Sequence, residues 1–239
     1  MKTIQSNLRK SLFVTIILLS SVFLFSCLPE TDKNQIPDAA FVSIFHGAPL
    51  TSDLDVFAES RMITQNPIKY GESFPYSRFF PGNRLLRFSP GHAVNTLLEE
   101  EFRFKKDSIY TVFLFNEESE LKAIQIKDVW EEPNAEKAQI RLIHLSADTG
   151  QLTVIIDDSP DFFEEGLEFT QSTEFKSIDK GKHDVKVVAS QTGETLLTVG
   201  EIELRGNRVY TLMIRGFENP TIPNNSLSVQ ILTNFIKFQ

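Results

Sequence analysis

Two segments of the chain decide its fold, AFVSIFH at residues 40–46 and AQIRLIH at residues 138–144. Both begin with alanine, end with histidine and are mostly apolar between. Self-similarity at a fixed spacing is the signature of a duplicated structural unit. Allowing for drift in the loops, four further pairs follow in the same order: 54–57 with 152–155, 81–88 with 180–187, 102–112 with 202–212, and 124–126 with 229–231. The sequence therefore predicts one domain written twice.

The repeat sets the predicted domain organisation. We expect a first domain over residues 39–128, a proline-containing linker over 129–137 and a second domain over 138–239. Each copy has about 100 residues, a common domain size. We expect Trp130, at the junction, to pack one domain against the other.

The segments within each copy predict strands. They are short, rich in β-branched and aromatic residues, and bounded by Gly, Pro, Asn and Asp, and they show no helical periodicity. His183, Val185 and Val187 alternate with Asp184 and Lys186, as in a strand with one face buried. Gly82 and Gly181, at equivalent positions, predict tight turns. The predicted fold class is all-β, with two tandem immunoglobulin-like β-sandwich domains.

The first 26 residues predict a lipoprotein signal peptide. Basic residues precede an apolar run over 12–25, and Cys27, the single cysteine of the chain, follows it. The segment over 24–27, LFSC, resembles the lipobox of bacterial lipoproteins, in which the signal is cut before a cysteine that then carries acyl chains. An uncleaved transmembrane anchor is the alternative, but the run is shorter than the ~20 residues that span a bilayer.

This resemblance implies a location in the cell. We expect lipidation of Cys27, a flexible tether over residues 27–38, and attachment to a membrane through the lipid. Leu28, in place of aspartate, resembles lipoproteins that are sent to an outer membrane. The expected location is therefore the outer membrane, with the protein facing the periplasm or the cell exterior.

Charge and cysteine content exclude several functions. The chain has a formal net charge of −8, and because residues 1–26 hold three basic and no acidic residues, the processed chain would carry −11. Such a chain offers no cationic footprint for phosphates, so we expect no nucleic-acid partner. A single cysteine excludes an internal disulfide and a multi-cysteine zinc site.

The repeated motifs resemble domain of unknown function 4397 (DUF4397), a family found in bacterial envelope lipoproteins of Bacteroidetes type, often in duplicate. The likeness lies in HGAP at 46–49 with LDV at 54–56 and, in the second copy, in HLSA at 144–147 with LTV at 152–154. The Pro-Gly turn at 81–82 and the Tyr-Thr pairs at 110–111 and 210–211 also fit. The resemblance implies a β-sandwich lipoprotein and brings no known reaction.

His46 and His144 close the same strand in the two copies, which makes them candidates for chemistry. Each could act as a ligand or a base, with Asp55 as a partner in the first copy. A lone histidine is a poor metal site, because zinc needs three or four convergent donors. We favour rings that hydrogen-bond to the following turn, and we expect no metal and no cofactor.

The aromatic stretch over 74–81 is the best candidate for ligand binding. Tyr76, Phe79 and Phe80 could stack on a sugar or a peptide. The alternative is a buried strand face, since Phe74, Tyr76 and Phe80 share one parity.

Together these features predict a lipid-anchored, non-catalytic binding, adhesion or spacer module of the cell envelope, with a glycan or a protein as its ligand. The alternative is a carbohydrate-binding accessory lipoprotein of a polysaccharide-uptake system. A third hypothesis is a hydrolase that uses His46 and Asp55. The chain shows no serine elbow, phosphate-binding glycine loop or cysteine–histidine pair, so we expect no enzyme activity.

Overall fold

The computed structural model describes residues 37–159, 162–163, 166–222 and 225–238. Within them the chain is built from strands and has no α-helix, and two tandem β-sandwiches are present, so the predicted fold class is confirmed. Residues 38–239 form one compact unit. The signal peptide, Cys27 and tether residues 27–36 lie outside the described residues.

The first sandwich has eight strands in two four-stranded sheets. The inner sheet has the order β4-β1-β7-β8 and the outer sheet the order β3-β2-β5-β6. β1 and β7 run parallel, and the other neighbours are antiparallel. The strands are β1 (Ala40–His46), β2 (Leu54–Ala58), β3 (Arg61–Met62), β4 (Ser73–Phe79), β5 (Gly82–Pro90), β6 (Leu98–Phe104), β7 (Ile109–Glu117) and β8 (Glu120–Asp128).

The second sandwich repeats this plan. Its inner sheet has the order β11-β9-β14-β15, again with a parallel central pair, and its outer sheet the order β10-β12-β13. The strands are β9 (Lys137–Leu145), β10 (Leu152–Ile156), β11 (Lys176–Asp179), β12 (Gly181–Ala189), β13 (Thr195–Leu204), β14 (Arg208–Arg215) and β15 (Ser228–Ile236).

The two inner sheets pack against each other, so the four sheets form a stack with three apolar cores. One core fills each sandwich, and the third lies between the sandwiches. The buried members of this third core are Phe45, Phe113, Phe115, Ile143, Leu145 and Met213. The central inner strands are therefore covered on both faces, which explains their nearly continuous apolar sequences. The outer strand β12 instead alternates buried with exposed or half-buried residues from Gly181 to Val187, as predicted.

Both sandwiches point in the same direction. Asp128, level with the first residue of β7, contacts the long side chain of Arg141 from the middle of β9. Asn225, beyond β14, donates a hydrogen bond to the carbonyl of Pro49, beyond β1. The starts of the four central strands therefore lie at one end, which we call the base end, and their finishes lie at the other, which we call the loop end. The copies stand side by side.

The linker is held on the second sandwich. The Gln139 side chain accepts a hydrogen bond from the Glu131 amide and donates one to the Glu131 carbonyl, both at 2.8 Å. The ring of Trp130 contacts those of Phe175 and Phe235, both of the second copy. Contact between the copies is made chiefly by the third core.

No helix among the described residues is long and apolar enough to cross a membrane.

Candidate functional site

His46 and His144 make equivalent backbone contacts in the two copies, and the Thr149 hydroxyl also lies 3.4 Å from Nε2 of His144. The Nε2–H of His46 donates to the carbonyl of Ser52 at 3.0 Å, and its Nδ1 accepts from the amide of Ala48. His144 donates to the carbonyl of Gly150 at 2.8 Å and accepts from the amide of Ser146. Each ring therefore ties together the turn that follows its strand, as favoured from the sequence.

Both rings are neutral in the fold. Each one faces one acceptor and one donor, which a single-proton imidazole satisfies completely. Both side chains are buried, and desolvation lowers the pKa of His46 and of His144 despite the carbonyl each one faces. With both nitrogens engaged, these rings order the backbone and leave no nitrogen for a metal or a substrate.

Asp55 is buried as well, and it serves a different loop. Its carboxylate accepts hydrogen bonds from the amide of His92 at 2.8 Å and from the hydroxyl of Thr64 at 3.4 Å. The polar contacts of His46 go to Ser52 and Ala48. The structure therefore does not bring His46 and Asp55 together as the acid–base pair that a hydrolase would need.

The three aromatic candidates lie in three environments. Phe79 is buried in the first core, where its ring contacts Phe104. Tyr76 points into the contact between the sandwiches, whereas Phe80 is 67% exposed. The pairing of β1 with β4 shifts register between Val42 and Ile44, which breaks the simple parity expected for this segment. The predicted stacking surface is thereby reduced to the Phe80 ring.

Tyr76 belongs to a closed set of polar contacts between the copies, which we call the interface ring. Its hydroxyl donates to Asp128 at 2.7 Å and accepts from Asn234 at 2.8 Å. Thr211 donates to Asn234 and accepts from Arg141, and Arg141 pairs with Asp128 at 2.5 Å, which closes the ring. Burial and the adjacent carboxylate raise the pKa of the Tyr76 phenol, so it stays a donor.

The sequence patterns did not predict the interface ring, although one residue of the ring stands out in the sequence. Arg141 is a charged residue in the middle of an otherwise apolar strand, and it is 1% exposed. A charge at that position needs a buried partner, because an unpaired buried charge is strongly destabilising. The sequence does not show that Asp128, placed at the edge of the linker, is that partner.

The loop end of the first sandwich carries two clefts that share Ser52 and Pro90. One encloses about 630 Å³ and includes Leu50 and Leu97, which are 47% and 41% exposed. The other encloses about 590 Å³ and includes His92. Sequence patterns did not predict this surface, because its lining comes from loops that are distant in the chain. Among the described residues there is no group of three or more His, Cys, Asp or Glu placed to hold one metal ion.

Comparison with known proteins supports the DUF4397 resemblance over part of the chain. A crystal structure of a DUF3823 family protein from Bacteroides ovatus is similar over 70% of this chain and 98% of its own, with 11% sequence identity and a TM-score of 0.20. No curated protein sequence matches the chain. The family model described as "Domain of unknown function (DUF4397)" matches residues 40–155, the first sandwich together with β9 and most of β10. This match supports the resemblance to DUF4397 that the sequence motifs indicated, over residues 40–155.

Proposed function

We propose that this protein is a lipid-anchored, non-catalytic binding module of the cell envelope, and that its loop end carries the binding surface. The observation that carries the proposal is the side-by-side arrangement of the two copies. Both sandwiches place the loops after their equivalent histidine strands at the same end. The duplication thus doubles the width of one loop surface.

The arrangement favours a binding platform over a spacer. The longest strands of the inner sheets have nine residues, which span about 30 Å. Two sandwiches placed end to end would reach about twice as far, whereas side-by-side packing adds no reach. The third core and the buried Asp128–Arg141 pair join the copies into one body.

The orientation of the two sandwiches is compatible with a membrane anchor at the amino terminus. Residues 38 and 39 directly precede β1, so the chain enters the first sandwich at the base end, opposite the loops. A lipid on Cys27 and a tether of about ten residues would hold the base end about 17 Å from its attachment point. The loop end would then face away from the membrane, where a glycan or a protein can reach it.

Ordered loop geometry supports binding rather than catalysis. Both repeat histidines hold turns, and Asp55 holds the loop at His92. The clefts near Leu50 and Leu97 combine apolar walls with a few polar groups, a composition typical of ligand sites. The carbohydrate hypothesis rested on three aromatic rings, of which only Phe80 is exposed, so it loses most of its support.

Photo-crosslinking in cells tests the proposal. A photoreactive amino acid at Leu97, at the loop end, should give a discrete adduct on irradiation. The same group at Phe238, which is 85% exposed at the base end, serves as the control. Adducts from Phe238 alone, or from neither position, would contradict a binding surface at the loop end.

The anchor is tested separately. Replacing Cys27 with serine should abolish labelling by radioactive palmitate and release the chain from the membrane fraction. An unmodified Cys27 in the mass spectrum of the mature protein would overturn this part of the proposal and leave the loop-end part standing.

A further inference from the structure

A third histidine, His183 at the start of β12, differs from the two repeat histidines. Its Nδ1 lies 2.6 Å from an oxygen of the Asp157 carboxylate, and its Nε2 lies 2.8 Å from the carbonyl oxygen of Asp179. Both partners are acceptors. A neutral imidazole carries one N–H and can satisfy only one of them, whereas an imidazolium carries two and satisfies both.

Asp157 cannot act as the donor in its contact with Nδ1 of His183. Burial alone would raise the pKa of its carboxyl group, but the hydrogen bonds from His183 and from the amide of Asp184 outweigh it and lower the pKa. The carboxylate is therefore ionised and acts only as an acceptor. Both ring nitrogens of His183 therefore face acceptors, an arrangement that the doubly protonated ring satisfies.

The first copy gives an independent view of the same position. Arg84 is the counterpart of His183, since Gly82 and Gly181 open equivalent strands two residues before. Arg84 Nε–H donates to the carbonyl of Phe80 at 2.9 Å, and its guanidinium pairs with Glu59 at 3.6 Å. Phe80 corresponds to Asp179 in the second copy, and Glu59 corresponds to Asp157.

The backbone around the two carboxylates is also the same. The amide of Glu59 donates to the carbonyl of Leu85, and the Leu85 amide donates back to the Glu59 carboxylate. Asp157 and Asp184 exchange the same two bonds. Glu59 and Asp157 both have positive φ, 56° and 52°. In the first copy an arginine, which is always charged, therefore fixes a strained turn that a histidine fixes in the second.

We propose that His183 is a pH-sensitive lock, which in its doubly protonated form ties the Asp157 turn to the start of β12 and releases it when the ring loses a proton. The first copy carries the permanent form of the same lock. The second sandwich thus has a turn whose attachment depends on pH, and the first does not.

Among the described residues, the other charged groups around His183 are paired with other partners, apart from Asp184, whose side chain lies on the opposite face of β12. The neighbouring pairs are Asp158 with Lys186, Asp179 with Lys137, Lys180 with Glu136, Lys182 with Glu201, and Glu203 with Arg205. The side chain of His183 is 9% exposed and that of Asp157 is 50% exposed. The proton on His183 is therefore the charge that decides this contact.

Hydrogen exchange on the full chain tests the lock. The amide of Asp184 donates to the Asp157 carboxylate, so its protection factor, corrected for the intrinsic pH dependence of exchange, reports the turn. Between an acidic pH at which the ring is doubly protonated and an alkaline pH at which it is neutral, we expect this factor to fall on the order of ten-fold, as for the loss of a charge-assisted hydrogen bond. The amide of Leu85 is the matched control in the same molecule and should not change.

Two variants complete the experiment. His183→Arg copies the first sandwich and should keep Asp184 protected across the whole range. His183→Gln should leave it weakly protected at every pH, while an unchanged Leu85 amide shows that the fold is intact. Constant Asp184 protection in the wild-type chain, or an equal fall in His183→Arg, would overturn the proposal. So would nitrogen chemical shifts of a neutral ring for His183 at a pH at which the Asp184 amide is strongly protected.

Discussion

The two copies agree in their turns and differ where they touch. His46 and His144 hold equivalent turns, and Tyr110 and Tyr210 each accept a hydrogen bond from the amide five residues before, at 3.2 Å. At the contact between copies, by contrast, equivalent positions have diverged. Ser43 corresponds to Arg141, and its hydroxyl donates to a backbone carbonyl of its own sandwich.

The divergence makes the two halves of the contact between the copies unequal. Phe115 packs on Phe169 with ring centroids 5.3 Å apart, whereas its counterpart Arg215 lies over the ring of Tyr70 at 4.4 Å. Tyr70 is in turn the counterpart of Phe169, because each of these rings meets the repeat histidine of its own copy. A twofold-related contact between identical copies would have had two equal halves. Here one half is apolar and the other carries a cation.

The largest effect is expected from breaking the buried charge pair. Arg141→Met leaves the Asp128 carboxylate buried without its cation, and we expect the free energy of unfolding to fall by about 3–5 kcal/mol. Denaturant unfolding measures this. The double variant Arg141→Met, Asp128→Asn should recover part of the loss, because the unpaired charge is gone. A cost below about 1 kcal/mol for the single variant would show that the pair does not join the copies.

The repeat histidines should behave alike in both copies. His46→Ala and His144→Ala each leave a turn carbonyl and a turn amide without a partner, so we expect each to cost about 1–3 kcal/mol. Thermal unfolding of the two variants and the wild-type chain under the same conditions measures both losses. A large effect in one copy and none in the other would break the equivalence of the two turns.

Stability should also fall in acid because of these two rings. In the unfolded chain they take up protons at about pH 6.5, whereas burial lowers the pKa of both in the fold. The unfolded state therefore binds more protons, and the free energy of unfolding decreases as the pH falls below about 6.5. The double variant His46→Gln, His144→Gln should lose stability less steeply than the wild-type chain between about pH 7 and about pH 5. Equal slopes would argue against neutral buried rings.

The corner tyrosines should show a smaller and matched effect. Tyr110→Phe and Tyr210→Phe each remove one acceptor from a backbone amide, and we expect a loss of about 0.5–1.5 kcal/mol from either. Denaturant midpoints at constant m-value provide the comparison. Losses that differ by more than a factor of three would mean that the two corners are not equivalent.

The smallest effect is expected at Phe80. Its ring is mostly exposed, so Phe80→Ala should change the free energy of unfolding by less than about 0.5 kcal/mol. Phe79→Ala, one residue earlier and in the core, is the matched control and should cost about 3–5 kcal/mol. Similar values for the two would contradict the register of β4.

Local patterns predicted much of the fold and little of the site. The alternation over 183–187 and the turn glycines Gly82 and Gly181 gave strand and turn correctly, because side-chain period and backbone freedom are local properties. The parity of residues 74–80 did not predict which of their side chains are buried, because the register shift in the β1–β4 pairing depends on the partner strand. The role of Tyr76 lay beyond sequence reasoning because its partners Asp128 and Asn234 are distant in the chain.

The sequence by itself determined that this protein is a duplicated all-β chain with an acidic balance, since repeats, residue types and charge can be read without knowing any contact. Only the tertiary structure decided that the copies stand side by side, with a third core and a buried Asp128–Arg141 pair between them. The physical reason is that burial of a strand's second face depends on what packs there, and side chains far apart in the chain create that surface together.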